Sequence, residues 1–416
     1  MWVSLAGLLR VQAPRVLHRT MKNQNYVMNE VLAQLEHACE VPCIPNVIPE
    51  RKVTVIGAGS SIGQIVCLLL KQSSLIRYLA MYDENPQHNV IGAATDLAHI
   101  DTSPAVEAYQ GRKYMGLALH GADVVVICGG YYPIPPDCCI LDRDLFEKNT
   151  QYVRTAALAI ANFCPTATIA LQTPPVDSTF ALGYSPFYIH KSYYIYLQIP
   201  NHVYDKRKLL GMNTINSMRA NQIFASAVGI NPMNSYIPIV GGTGRCSSVP
   251  IFSNTTHFWF DCLQRFKWRA GLICRVKCNN ETAHLSIGFA TARAVLSILT
   301  GKFVKPTFMD CVLVDQDDPN MVFGLETCCT PITMGPDGVH TYEIPKLSNA
   351  ERAGMHSAMV NLEDALNLGK CAALGTTYYL HPDKEPIVPK LIPCPTCDEL
   401  IRTEREEANK KARRKA

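Results

Sequence analysis

Acidic side chains are missing from the first 29 residues, and Glu30 is the first Asp or Glu of the chain. Nowhere do eighteen apolar residues follow one another, which argues against a membrane-spanning helix. Charged residues are scarce at 18%, and the formal net charge of +4 over 416 residues is too small to suggest a nucleic-acid partner. With 48% hydrophobic residues the chain is globular material, long enough for two domains with sizeable cores. Metal-ligand spacing is also lacking. The 17 cysteines include the adjacent pairs Cys138-Cys139 and Cys328-Cys329, and the single C-x-x-C at Cys394–Cys397 has no two further ligands beside it. Most, such as Cys67, Cys128 and Cys164, fall in apolar segments where a reduced thiol serves as a small hydrophobe. No metal is expected.

The acid-free start carries Arg10, Arg15, His18, Arg19 and Lys22 among apolar residues. Basic, potentially amphipathic and free of acids, residues 1–40 read as a mitochondrial presequence. The same composition suits an unstructured basic arm. Arg10 interrupts the apolar run too early for a secretory signal.

The chain is organised around Lys52 to Asp83. Val53 to Ile56 reads as a buried parallel strand, Gly57, Gly59 and Gly63 form a tight turn, and Ile62 to Lys71 continues as a helix. A second apolar run ends at Asp83, twenty residues after Gly63. This is a βαβ unit with a phosphate-binding turn, although G-x-G-x-x-x-G is one residue longer than the usual fingerprint. The glycines let backbone approach a pyrophosphate, and the helix N-terminus offers free N–H groups. Asp83 can accept from a ribose diol and disfavours a 2′-phosphate, so NAD is expected rather than NADP.

Alternation continues downstream. A helix is predicted from Asn89 to Ala98, a strand from Ala122 to Cys128, a helix from Arg143 to Phe163 and a strand from Thr168 to Gln172. The pattern predicts a parallel sheet with helices on both faces. Ligands then bind beyond the carboxyl ends of the strands, so loops after Ile56, Asp83, Cys128 and Gln172 should line one cleft. Further on, Ala220 to Val228 reads as helix, Tyr236 to Val240 as strand and Thr282 to Leu299 as a long helix. Asn349 to Leu368 is an amphipathic helix with Met355, Met359, Leu362 and Leu366 facing a core. Residues 376–416 begin proline-rich and end with alternating charge, as in a solvated tail or helix.

Collinear motifs now carry a resemblance. Tyr82-Asp83, Ala94 to His99, Gly121 to Val126, Asp144-Leu145-Phe146, Pro175 to Thr179, Arg219 to Asn221, Pro238 to Gly242 and Leu285-Ser286 resemble mitochondrial malate dehydrogenases in order. The similarity runs from about Lys52 to Lys370. It implies an α/β fold, with a Rossmann-type parallel-sheet NAD domain at 51–205 and an α+β substrate domain at 206–375. It also implies a matrix location and a dimer, with a second copy or with a paralogue. In the cofactor site, Gly57, Ala58, Gly59, Ser60, Ser61, Ile62 and Gly63 match the family's turn, two glycines having become Ser60 and Ser61. Asp83 matches the ribose carboxylate, and Asn149 an asparagine near the cofactor.

The chemistry departs from the family. Oxidising a 2-hydroxy acid needs a base for the hydroxyl proton as hydride leaves. The family's histidine follows a Gly-Gly pair, and here Gly241-Gly242 is followed by Thr243, whose hydroxyl cannot take that proton unaided. The partner aspartate position, three residues before Arg219, is Asn216. A dicarboxylate is held by bidentate guanidinium groups. Of the two arginines in the loop from Tyr131 to Arg143, about three residues longer than in the family, the first is missing. Asp142 takes the place of the second, with Arg143 one position along. The substrate asparagine is Pro174, and only Arg219 is retained. His99 and His284 are the nearest candidates for a replacement base. Two readings follow. One is a malate dehydrogenase homologue that keeps NAD and fold without catalysis; the other is an active dehydrogenase for malate or another hydroxy acid with a rearranged site.

Overall fold

Lys52–Ile56 (β1) is at most 3% exposed along its length, as befits a strand covered on both faces. The computed structural model describes residues 50–132, 142–183, 205–253, 255, 259–277, 282–319 and 324–373. The segment 1–40 expected to be a presequence, the tail at 376–416, most of the loop between Tyr131 and Arg143, and the cysteines at 138, 139, 394 and 397 lie outside the described residues.

After β1 come α1 (Ser61–Lys71), β2 (Tyr78–Asp83), α2 (Val90–Ala98), β3 (Ala105–Gln110), α3 (Met115–Leu119), β4 (Val124–Ile127), α4 (Asp142–Phe163), β5 (Thr168–Leu171) and β6 (Leu209–Met212). These six strands are parallel in the order β3-β2-β1-β4-β5-β6. The order reverses between β1 and β4, whose carboxyl ends part to leave a crevice. Consecutive valines explain the burial. Val124 and Val126 join the cluster on one face with Val53 and Val55; Val125 and Ile127 join the other with Ile56 and Leu171.

The remaining elements are α5 (Thr214–Val228), β7 (Ile239–Gly241), β8 (Ser248–Pro250), α6 (Trp259–Val276), α7 (His284–Phe303), β9 (Thr307–Asp315), β10 (Thr327–Gly335), β11 (Gly338–Tyr342) and α8 (Asn349–Ala373). β9 pairs antiparallel with β6 and carries the sheet on through β10, β7 and β8. α7 crosses back onto α1, where a Cβ at Gly288 would lie 2.7 Å from Ile65 Cγ2. The last helix opens with a capping box: the Ser348 N–H donates to Glu351 Oε2 (2.8 Å) and the Glu351 N–H to Ser348 Oγ (3.3 Å).

One expected strand is displaced. Tyr236 to Val240 was expected to be extended throughout, whereas β7 begins at Ile239. Pro238 has no N–H for a ladder, and residues Pro232–Asn234 form a 3₁₀ turn capped by Asn231. Tyr236 instead meets Phe308 edge to face at 5.4 Å.

Candidate active site

The cofactor turn is built by close backbone approach. Gly57 has φ +88°, and a Cβ there would lie 2.3 Å from Gly129 Cα across the β1–β4 crevice. At Gly59 it would lie 2.2 Å from the His88 carbonyl, and at Gly63 2.1 Å from the Gly57 carbonyl. Only glycine fits these three positions. Ser60 caps α1: its hydroxyl accepts from the Gly63 N–H (3.1 Å) and donates to the Gly57 carbonyl (2.7 Å). The Ser60 hydroxyl proton is thus spent inside the turn. Ser61 opens α1 exposed, beside buried Ala58 and Ile62.

Asp83 ends β2 beside this turn and is 3% exposed. Its carboxylate accepts from the N–H groups of Gly59 (3.0 Å) and Asn85 (3.0 Å), and lies 3.1 Å from His88 Nδ1. A carboxylate offers about four acceptor positions. Three are taken, which leaves one for a ribose hydroxyl.

Across the crevice the second half is occupied by protein groups. The Tyr132 hydroxyl donates to the Cys128 carbonyl at the end of β4 (3.1 Å), with the Gln172 carbonyl at the end of β5 3.4 Å away. Burial pushes this phenol well above its ordinary pKa, so it stays a donor. Asn149 is fully buried on α4. Its Nδ2 donates to the carbonyls of Tyr131 (2.9 Å) and Pro174 (2.6 Å), while its Oδ1 accepts from the Tyr131 N–H (2.6 Å). Both amide protons are therefore spent on the loops after β4 and β5.

The two positions where the family resemblance expects an acid–base pair meet in space. Asn216, on the first turn of α5, donates from Nδ2 to Asn213 Oδ1 (2.7 Å) and the Thr243 carbonyl (2.9 Å), its two amide protons, with Ser248 Oγ a longer contact at 3.2 Å. Arg219, half-buried one turn on, reaches Asn216 Oδ1 at 3.4 Å. Asp177 supports Thr243 from the other side. Its carboxylate accepts from the N–H groups of Thr243 (2.6 Å) and Gly244 (3.2 Å) and from Ser247 Oγ (2.7 Å). Asp142 approaches the same turn. A Cβ on Gly244 would lie 3.4 Å from Asp177 Oδ2 and 3.7 Å from Asp142 Oδ2. Asp142 is exposed as a residue, but protein groups crowd its carboxyl on the side of the turn, and that partial desolvation, with the nearby Asp177, pushes its pKa up to about 6.

The other candidates lie apart. Arg143 is exposed and pairs along its own helix with Glu147 at 3.8 Å. His99 contacts the Thr95 carbonyl through Nδ1 (2.8 Å), and His284 Nδ1 lies 3.2 Å from Lys277 Nζ. Among the described residues no cluster of three His, Cys, Asp or Glu could hold a metal.

Two residues that matter here received no role from the sequence. Asp177 is an acid inside the matching motif Pro175 to Thr179, and Tyr132 is a large aromatic two residues beyond Gly129-Gly130 at a strand's carboxyl end. Both signals are visible once the cleft is placed.

Comparison with known proteins agrees with this architecture. Residues 51–189 match the lactate/malate dehydrogenase NAD binding domain, and residues 214–372 match its alpha/beta C-terminal domain. The chain belongs to the lactate/malate dehydrogenase family. Human mitochondrial malate dehydrogenase is 31% identical over 327 residues, covering 77% of this chain and 90% of that protein. Mitochondrial malate dehydrogenase 2 of Arabidopsis thaliana is 28% identical over 330 residues, covering 77% and 91%. The crystal structure of Cryptosporidium parvum malate dehydrogenase shares the fold, with a TM-score of 0.62 at 20% identity over 77% of this chain and 99% of that one. The fold is thus a Rossmann NAD-binding domain followed by an α/β domain, and NAD is the cofactor. The Gly57–Gly63 turn, closed to any side chain larger than glycine at three positions, and the Asp83 carboxylate beside it are the groups that would hold the adenosine half.

Proposed function

We propose that this member of the family keeps NAD binding and the two-domain fold, divided near residue 205, and has lost malate and oxaloacetate turnover. The observation that carries this reading is the Asn216–Thr243 contact. An amide donates to a backbone carbonyl where the reaction needs a carboxylate orienting an imidazole. Thr243 offers no group that takes a proton near neutral pH, and Asn216 has no charge to stabilise a cation. Asp142 places a carboxylate where a dianionic substrate requires a guanidinium, and Arg143 is turned away along α4. NADH oxidation by oxaloacetate, followed on the purified full chain, is expected to equal the enzyme-free blank. Clear turnover would restore the active-dehydrogenase reading and direct attention to Asp142 and His284.

The mitochondrial names of the relatives, together with the acid-free start, support import into the matrix. Residues 1–40 fused to a fluorescent protein should direct it there, and a diffuse cytosolic signal would overturn this. A dimer, of two copies or with a paralogue, is supported by exposed apolar side chains beside the Ile65–Gly288 contact. Leu68 on α1 is 41% exposed, and Leu285 and Phe289 on α7 are 61% and 49% exposed. Light scattering on the purified chain should give twice the chain mass; a monomer would leave only pairing with another protein.

A further inference from the structure

A doubly wound sheet holds a dinucleotide across the point where strand order reverses, one nucleotide over each half. Here that point lies between β1 and β4. The first half, with the Gly57–Gly63 turn and Asp83, has the cradle for an adenosine diphosphate. The second half has its floor at the carboxyl ends of β4 and β5, and on that floor the Tyr132 hydroxyl sits between the Cys128 and Gln172 carbonyls at 3.1 and 3.4 Å. A nicotinamide ring seated there needs an open face for its plane and carbonyl acceptors for its carboxamide N–H groups. Tyr132 occupies both.

Tyr131, the residue before Tyr132, is held firmly. Asn149 grips Tyr131 by both its N–H and its carbonyl and reaches across to the Pro174 carbonyl, with no exposure to water. Lys148 Nζ lies 4.1 Å from the Tyr131 ring centroid. The Tyr132 ring is half-buried and packs on the apolar cluster containing Val126, Cys128 and Ala170. Moving it aside costs those contacts and leaves the Cys128 carbonyl without this donor.

From this geometry we infer that Tyr132 closes the nicotinamide half of the crevice, so that the chain takes adenosine-diphosphate compounds, NAD among them, by the adenosine half alone. The inference rests on the NAD reading and sharpens it. The ligand class is set by the adenosine diphosphate moiety, and the nicotinamide stays outside the site. It also places a barrier to hydride transfer that is independent of Thr243 and Asn216, since the donor ring has no seat beside the substrate cleft.

The test is calorimetric titration of the full chain with NADH and with ADP-ribose, alongside NADH emission. The wild-type chain should bind the two within about threefold of each other, with no rise in nicotinamide emission. Tyr132→Ala should tighten NADH about tenfold and enhance its emission, leaving ADP-ribose unchanged. Tyr132→Phe keeps the packed ring and should still hold the two ligands alike, which guards against a misfolded alanine variant. Wild-type NADH binding tenfold or more tighter than ADP-ribose, with enhanced emission, would overturn the inference. So would a folded Tyr132→Ala with an unchanged ratio. Binding of neither ligand to any variant would overturn the NAD reading and the inference with it, whereas ADP-ribose binding with the wrong ratio overturns the inference alone.

Discussion

Asn216 Nδ2 donates to the Thr243 carbonyl at 2.9 Å, so the two positions that should carry the acid–base pair touch through a neutral amide and a peptide group. Asn216 also bonds Asn213 and Ser248, and Asp177 accepts from the far side of the same turn, so the cleft floor is tied down from both directions.

Restoring the lost pair should therefore not restore the reaction. Thr243→His with Asn216→Asp is expected to show no malate or oxaloacetate turnover, because Asp142 still repels a dianion and Tyr132 still occupies the ring seat. Steady-state NADH oxidation by the double variant checks this. Turnover rising to an ordinary enzyme rate of about 1–10³ s⁻¹ would show that the clamp and the ring seat are intact after all.

Asn216→Ala should destabilise the fold. The side chain is 9% exposed, and its removal leaves the Thr243 carbonyl and Asn213 Oδ1 without this donor. Unsatisfied buried groups cost about 1–3 kcal/mol, which should appear as a drop of several degrees in Tm. An unchanged Tm would mean that water replaces the amide without loss.

Asp177→Ala should cost more, because three donors lose one charged acceptor. About 2–4 kcal/mol is expected from urea denaturation, given the greater strength of bonds to charged groups. Ser247→Ala removes only one of the three bonds and should cost clearly less. Equal losses for the two substitutions would show that the carboxylate does not organise the turn.

The Asp142 carboxyl gives a pH dependence whose sign is fixed by its raised pKa. Its folded value of about 6 lies above the ordinary value of 3.8, so the folded state prefers the protonated acid. That contribution is fully present below the ordinary value and is lost as pH rises through about 6. Asp142→Asn should then melt higher than the wild type above pH 6, by an amount that shrinks towards zero as pH falls to about 4. Melting curves of both proteins over this range check it. A difference independent of pH would place the carboxyl in open solvent.

How much was legible beforehand depends on how local the cause is. Val53 to Ile56, the three glycines and Asp83 announce a dinucleotide βαβ unit because strand burial, turn sterics and helix capping act within a few residues. The helix at Asn349 was legible for the same reason, through its apolar spacing. The hairpin β9–β10 and the helix α6 went unread, since their patterns gain meaning only against distant partners. Serine at position 60 suits a helix N-terminus by residue type, and the folded turn shows which groups its hydroxyl joins.

The sequence by itself determined the family, the parallel character of the cofactor half and the chemical identity of the side chains at positions 216 and 243, because a threonine or an amide cannot acquire a charge by folding. Tertiary structure decided where those groups point. It put Asn216 against Thr243 across 27 residues of chain, drew Asp177 and Asp142 to one turn, and laid Tyr132 over the ends of two strands. Such contacts depend on side-chain direction and on which loops share a strand end, and neither is encoded in any local pattern.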